Sequence, residues 1–360
     1  MVDGGLFTEV SMLFPNHIFS GIFPTPHCQG IALDKENGFL YYSFTTTLVK
    51  TDLEGKLIGT VDGLTGHLGC IAFWNGRVYG SLEYKNDSIG RYIRRHLGLD
   101  EEIIDAFYCA IFDADKIDRV GMSASGDGVM KAAFLKEVLD DFHGVSAEGL
   151  PHHLGCSGID GMTFGPAFGK KDGKEQMAVT YGVYHDEERT DNDHQVILTY
   201  DPDELLASAL PLDRHHPHTS GPEKPAGKYF VFTGNTDWGV QNFEYDRFTG
   251  DWLMAVYPGY KKEYPNCPLY IVDGGKEPVY GRLKGLPEEG YQLTLKKGPV
   301  GNGTGVSGWR FPYGSTGLYS FGDGRYYISH DGHNDEGHFT DVYLYRFKSE
   351  NDELYFERAE

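Results

Sequence analysis

The sequence predicts an all-β fold: a β-propeller of five blades, with a sixth also compatible with the spacing, and a helical insertion in the second repeat. Three observations predict it. A short motif, a polar residue and a small residue followed by alternating apolar ones, recurs five times. After each copy come runs of β-formers separated by turn residues. The composition suits many short strands joined by tight turns, with 48 Gly, 17 Pro, 24 Tyr and 22 Phe in 360 residues.

The clearest copy of the motif is Gln29-Gly30-Ile31-Ala32-Leu33-Asp34, preceded by Pro26-His27-Cys28, and the nearest match is His67-Leu68-Gly69-Cys70-Ile71-Ala72-Phe73. Looser versions run from Ser157 to Phe164, from Trp238 to Tyr245 and from Ser315 to Phe321. Each is read as the innermost strand of a blade. In the first repeat, Glu36-Asn37-Gly38 is a hairpin signal leading to a second strand, Phe39 to Phe44. Leu48 to Asp52 forms a third strand and Leu57 to Val61 a fourth. Four antiparallel strands and a return to the inner motif make one blade.

The same order repeats. Second strands read Arg77 to Ser81, Met177 to Tyr184, Trp252 to Tyr257 and Arg325 to Ser329. Third strands read Tyr108 to Asp113, Val196 to Asp201, Leu269 to Asp273 and Val342 to Arg346. Residues 6–25 read as an apolar lead-in that closes the ring, and Leu354 to Arg358 as a last outer strand.

Aligned on Gly30, Cys70, Gly161, Asn242 and Gly317, the motifs lie 40, 91, 81 and 75 residues apart. A bare blade needs about 40–50 residues, so the later repeats carry insertions, assigned to 85–150 and 212–228 within one domain spanning 1–360. Ser88 to Phe107 and Asp127 to Phe142 are predicted as helices, the second from the face Val129, Met130, Ala133, Phe134, Val138, Leu139 and Phe142. The second insertion carries Arg214-His215-His216-Pro217-His218 and reads as an exposed loop.

A formal charge of −21 argues against a nucleic-acid partner, which needs clustered Lys and Arg, and disfavours anionic membranes. Five Cys without a pairing pattern suggest reduced, buried thiols. With no signal-like N-terminus and no long apolar run, a cytoplasmic protein is expected, although a trimmed secreted form would read the same.

Side chains alternate along a strand, so every second residue of an inner strand faces the axis. Counting back from the aligned positions puts Gln29, Gly69, Asp160, Gln241 and Thr316 at one level, with His27, His67 and three glycines above them. Second-strand ends add Glu83, Tyr84, His185, Tyr257, His330 and Asp331. This ring is more polar than packing requires, and buried polar groups cost free energy unless paired. A water-filled channel would account for it without function; a ligand site at the mouth accounts for it with one.

Three chemistries fit such a ring. His27, His67, His153 and Asp160 form a candidate shell for one divalent cation, calcium, zinc or manganese. Asp160, Glu83, Glu244 and Asp331 are the candidates for acid–base work by paired carboxylates. Trp238 and Trp309, just ahead of inner-strand motifs, offer faces for a sugar. The catalytic set is assigned as His27, Asp160 and His330, and the substrate-binding set as Gln29, Gln241, Thr316, Trp238, Tyr84 and His185. Asp331 to His338 has a calcium-loop composition without the EF-hand spacing, and reads as a solvated loop.

The repeat order resembles β-propeller proteins over nearly the whole chain. Five apparent blades are similar to arabinanase-like glycosidases and calcium-dependent nucleotidases, and the polar ring resembles lactonase-type propellers, which hold a divalent cation on the axis. The resemblance implies a hydrolase or lyase acting on a small polar, carbohydrate-like or lactone substrate. The alternative expectation is a non-catalytic ligand-binding or protein-interaction propeller that meets its partner through Asp127 to Phe142.

Overall fold

The computed structural model describes residues 14–99, 102–213, 217–348 and 355–360. The described part is a five-bladed β-propeller. Residues 6–13 of the lead-in, Arg214-His215-His216 and Leu354 lie outside the described residues.

The chain enters through β1 (His17–Phe19). Blade one is β2 (Cys28–Asp34), β3 (Phe39–Phe44), β4 (Thr47–Asp52) and β5 (Leu57–Asp62). Blade two is β6 (His67–Trp74), β7 (Arg77–Tyr84) and β8 (Ala106–Asp113), with α1 (Ser88–His96) between the last two. The short β9 (Met122–Ser123) then runs parallel to β5, and β10 (Met130–Phe134) completes blade two. After α2 (Lys136–His143), blade three comprises β11 (Cys156–Pro166), β12 (Glu175–Val183), β13 (His194–Tyr200) and, beyond α3 (Pro202–Ser208), β14 (Gly227–Phe232). Blade four is β15 (Thr236–Asp246), β16 (Asp251–Pro258) and β17 (Leu269–Val272). The hairpin β18 (Val279–Arg282) and β19 (Glu289–Gln292) widens blade three, and β20 (Val300–Gly301) pairs with β21 (Ser307–Gly308). Blade five is β22 (Leu318–Ser320), β23 (Arg325–Asn334) and β24 (Gly337–Phe347).

Ring closure comes from both chain ends. β24 gives one edge to β23; on the other, β1 pairs with Asp341–Tyr343 while β25 (Phe356–Arg358) pairs with Tyr345–Phe347. Local rules explain the turns. Asn75 and Gly76 both have positive φ (47° and 72°), the two-residue turn whose twist matches flanking strands. After the third strand of blade three, the Asp201 carboxylate caps α3 by accepting from the Asp203 N–H at 2.9 Å, with Pro202 in the first turn.

One helix prediction fails instructively. Asp127 to Phe142 is strand β10 followed by α2, and its apolar residues divide between two core layers. Ala132 and Ala133 pair with Ala110 and Cys109 on β8, so the outer edge of blade two won the first half. Its apolar face is packed into the ring, while Lys136 and Asp140 of α2 remain exposed. Ser88 to Phe107 also shortens to α1, because Ala106 and Phe107 already belong to β8. Asp331 to His338 is no loop: it continues the β23–β24 ladder to the pair Asn334–Gly337.

The inner strands share one irregularity. Register shifts fall between Cys28 and Gly30, Leu68 and Ile71, Ile159 and Met162, and Val240 and Asn242. A bulge inserts an extra residue and re-aims its side chain. The residues inside these four bulges include Gln29, Gly69, Asp160 and Gln241, which is why they form one level.

Below that level the axis is filled. Asn242 donates from Nδ2 to the carbonyls of Gln29 and Ser315, both at 2.9 Å, and Cys70 Sγ lies 3.2 Å from Asn242 Oδ1. The five Cys are all buried and free.

Candidate functional site

Above the plug, the mouth of the axis encloses a cavity of about 180 Å3. It is lined by His27, Gln29, His67, Glu83, Lys85, Ile89, Ser157, Asp160, Trp238, Gln241 and Tyr257. Six of these side chains are ionisable: His27, His67, Glu83, Lys85, Asp160 and Tyr257.

His67, first on β6, directs Nδ1 at two carboxylates, Glu83 Oε1 at 3.5 Å and Asp160 Oδ1 at 3.6 Å. Both distances exceed a good hydrogen bond. His67 Nδ1 and Asp160 Oδ1 are in fact buried without any hydrogen-bond partner. Such orphaned atoms are costly in a folded interior unless something else satisfies them.

Glu83, opposite His67 in the β6–β7 ladder, is fully engaged. Its Oε2 accepts from the Ile159 N–H at 2.9 Å, and Lys85 Nζ approaches its Oε1 to 2.5 Å. Lys85 is committed as well: it donates to the Ser157 carbonyl at 2.6 Å, and Asp87 Oδ2 lies 3.5 Å away as an ion pair without a hydrogen bond. Asp87 is the N-cap of α1, accepting from the Gly90 N–H at 2.8 Å. The ion chain Glu83–Lys85–Asp87 therefore anchors the helix that brings Ile89 over the cavity.

Two glycines make room for this chemistry. A Cβ on Gly158 would lie 2.1 Å from Glu83 Oε2 and 2.7 Å from Lys85 Nζ, and its φ of +128° disfavours side chains in any case. A Cβ on Gly69 would meet Ser81 Oγ at 2.4 Å and Asp160 Oδ1 at 2.9 Å. Trp238 carries a third marker, a φ of 63° at a bulky residue, a conformation that costs free energy and gathers at functional sites.

Burial sets the protonation states. It holds His67 down at about 3, helped by Lys85 and His27, and His27 at about 4, helped by His338, so both rings are neutral. It pushes Glu83 up to about 7 against the pull of Lys85, and raises Asp160 well above the usual carboxylate range, with the Glu83 charge adding to the effect. Burial alone would lower Lys85, but Glu83 and Asp87 outweigh it and keep the ammonium charged. Two carboxyls around one imidazole nitrogen disfavour both being ionised at once, and the geometry favours Asp160 as the one that holds a proton. Both Glu83 oxygens accept hydrogen bonds and Asp160 Oδ1 accepts none.

On the remaining wall, Gln241 Nε2 donates to Asp160 Oδ2 at 3.3 Å and Gln29 Nε2 meets His27 Nε2 at 3.1 Å. Since the amide donates, His27 Nε2 accepts and the ring carries its proton on Nδ1.

The cavity brings together His27, Gln29, His67, Asp160, Trp238 and Gln241 from the sequence-derived sets. The others sit elsewhere. His153 is held between Asp141 (3.1 Å) and Glu288 (3.2 Å) and fastens α2 to the loop before β19. His330 stacks on Tyr313 with ring centres 3.6 Å apart, and its Nε2 lies 2.9 Å from the Tyr345 hydroxyl. Its neighbour Asp331 turns inward instead, accepting from the Cys28 N–H at 3.1 Å.

Tyr84 alternates away from Glu83 and lines a separate cavity with Leu64, Ala124 and Leu212. His185 pairs with Asp237 at 3.0 Å outside the cavity lining, and the Thr316 hydroxyl is 2.8 Å from Ser329 Oγ. Trp309 is fully buried against Tyr355, a packing role. Lys85 escaped the sequence reading, although it continues the inward alternation of Ser81 and Glu83.

The cation shell expected from His27, His67, His153 and Asp160 does not assemble. Among the described residues no group of three or more His, Cys, Asp or Glu side chains could hold a metal ion. His153 is too far into another contact, and the Lys85 ammonium already supplies the positive charge next to Glu83.

No family model matches the chain, and no curated protein does either. Solved structures match the chain at low identity. The GH43 endo-arabinanase of Bacillus licheniformis is 12% identical with a TM-score of 0.41, over 89% of this chain and 94% of that one. The xylan β-1,4-xylosidase of Bacillus halodurans C-125 is 10% identical with a TM-score of 0.38; 92% of this chain spans 55% of the xylosidase. The PQQ-bound aldose sugar dehydrogenase of Streptomyces coelicolor is 11% identical with a TM-score of 0.32, over 91% and 96%. No described helix is long and apolar enough to cross a membrane.

Proposed function

We propose that the chain is a hydrolase for a small sugar-like or lactone substrate, with Asp160 as the group that moves the proton. One observation carries the reading: Asp160 Oδ1 is a buried, unpartnered atom at the wall of a small cavity, on a carboxyl that burial first and the Glu83 charge second raise well above the usual carboxylate range. A catalytic acid works best when its pKa lies near the working pH. Protonated Asp160 gives its proton to the leaving oxygen as the C–O bond breaks. As carboxylate it then takes a proton from the attacking water, whose oxygen forms the new bond, so that water is added and Asp160 is restored.

The neighbours have supporting parts. Glu83, fixed by Lys85 and the Ile159 N–H, keeps Asp160 protonated by like charge. Neutral His67 and the amides of Gln29 and Gln241 hydrogen-bond the ligand, and Trp238 offers it a flat face. The cavity is smaller than the about 300–1,000 Å3 of drug-sized pockets, which favours a single-ring substrate.

The test is turnover of a panel of aryl glycosides and aldonolactones by the wild type and by Asp160→Asn. Loss of about 10²–10⁴-fold with an unchanged melting temperature is expected. An Asp160→Asn protein that turns over as fast as the wild type, or a panel bound but never converted, would replace the hydrolase with a non-catalytic binding propeller.

A further inference from the structure

We propose that this cavity admits only uncharged ligands and rejects uronates, aldonates and sugar phosphates; the inference rests on the site assignment above and narrows its substrate class. An ion entering a buried space loses its hydration and needs a counter-charge or several hydrogen bonds in return.

No cation in the cavity is free to offer one. Lys85 is the ammonium there, its side chain 5% exposed, and its contacts go to Glu83, Asp87 and the Ser157 carbonyl. His27 and His67 are neutral imidazoles, and no arginine lines the space. No anion is free to welcome a cation either: Glu83 is spent on Lys85 and the Ile159 N–H, and Asp160, beside the Glu83 charge, accepts from Gln241 and has its carboxyl raised toward the neutral form by burial. The groups left open are uncharged. They are the neutral His67 ring, the Asp160 carboxyl, the two glutamine amides, and the rings of Trp238 and Tyr257. Dispersed single donors and acceptors between flat apolar faces match a neutral polyhydroxylated ring.

Elimination from a uronate is disfavoured on the same ground. That reaction acidifies the C–H beside the carboxylate by neutralising the carboxylate, and here the ammonium that would do so is committed to Glu83. Hydrolysis of a neutral lactone carries a further consequence: substrate enters uncharged and product leaves as an anion the site does not hold.

Matched pairs test the inference: D-glucono-1,5-lactone against D-gluconate, and methyl β-D-glucoside against methyl β-D-glucuronide. Binding is read by saturation-transfer NMR and calorimetry on the full chain, with Glu83→Gln as the second protein. In the wild type the neutral member of a pair is expected to bind at least about tenfold tighter. Glu83→Gln unmasks Lys85, and the gap should close or reverse. Equal or tighter binding of the acids by the wild type overturns the inference, and so does failure of both neutral members to bind.

The readout is separate from turnover. A neutral preference without conversion of any panel member keeps the inference and removes the hydrolase. Conversion of acidic substrates does the reverse.

Discussion

Removing Lys85 would leave Glu83 buried with Asp160 nearby and no opposite charge, and breaking a buried pair in this way costs about 3–5 kcal/mol. Lys85→Met is therefore expected to lose stability of that order in urea unfolding at pH 8, and less at pH 5, where Glu83 can take up a proton. An equal loss at both pH values would mean that the ammonium acts through packing alone. Glu244 gives a second titration at the far end of the axis. It accepts from Thr163 Oγ1 and the Ser320 N–H, both at 2.9 Å, yet burial pushes it from 4.5 up to about 8. The unfolded chain ionises this group first, so its stabilising contribution is complete below pH 4.5 and gone above 8. Glu244→Gln should then be more stable than the wild type at pH 8.5 by roughly 2 kcal/mol, with the difference vanishing near pH 4. Melting curves across that range decide it. At this scale, sequence located residues that alternation governs. Gln29, Asp160 and Gln241 could be counted back from small residues because their bulges fall at one height. The same counting misplaced Tyr84 and His330, since neighbours at a strand end face opposite ways and only Glu83 and Asp331 turn inward. Lys85 could not be found, because a charge beyond a strand reads as solvated until its three partners are known.

Among elements, the β6–β7 blade with α1 decides the site's shape. Gly158 meets it from blade three, and Gly158→Ala should force Glu83 and Lys85 apart. The expected outcome is a soluble protein that loses neutral-ligand binding, because the clash lies at the cavity and not in a blade core. Retention of wild-type binding would show that the side chains can give way. Helix limits were less legible than strands. The 3.6-residue apolar period over Val129 to Phe142 is real, but it comes from a buried strand and an amphipathic helix placed end to end. Pairing of Ala132 and Ala133 with β8 is a long-range contact that no local period contains. His153 was lost for the same reason, since its partners Asp141 and Glu288 lie on separate segments.

For the molecule as a whole, the ring depends on a three-residue strand. β1 covers the β24 edge at Asp341–Tyr343, buries Ile18, and brings in the Asn16 carbonyl, which accepts from the Leu344 N–H at 2.9 Å. Deleting residues through Ser20 leaves that edge unpaired beside the half covered by β25. A fall in melting temperature of at least about 5 °C is expected, with self-association through the open edge on size-exclusion chromatography. An unchanged melting temperature and a monomer-like profile would show that β25 closes the ring alone. Five strand repeats, and a lead-in joining the last blade, were legible because turn residues and apolar alternation are local signals. Blade four was the least regular, its outer positions reduced to single bridges from Leu295 and Trp309.

The Asn242 side chain, bound to blades one and five and touching Cys70 of blade two, turns the axis into two separate rooms. The cavity around Asp160 is then a cul-de-sac. On the proposed reading, a ligand enters and leaves on the mouth side of that plug, through a doorway assigned to Ile89 of α1 and Trp238, both of which line the cavity. Product still in place would bar the next substrate, so steady-state inhibition by product should be competitive, and exchange through that doorway would set the pace once chemistry is fast.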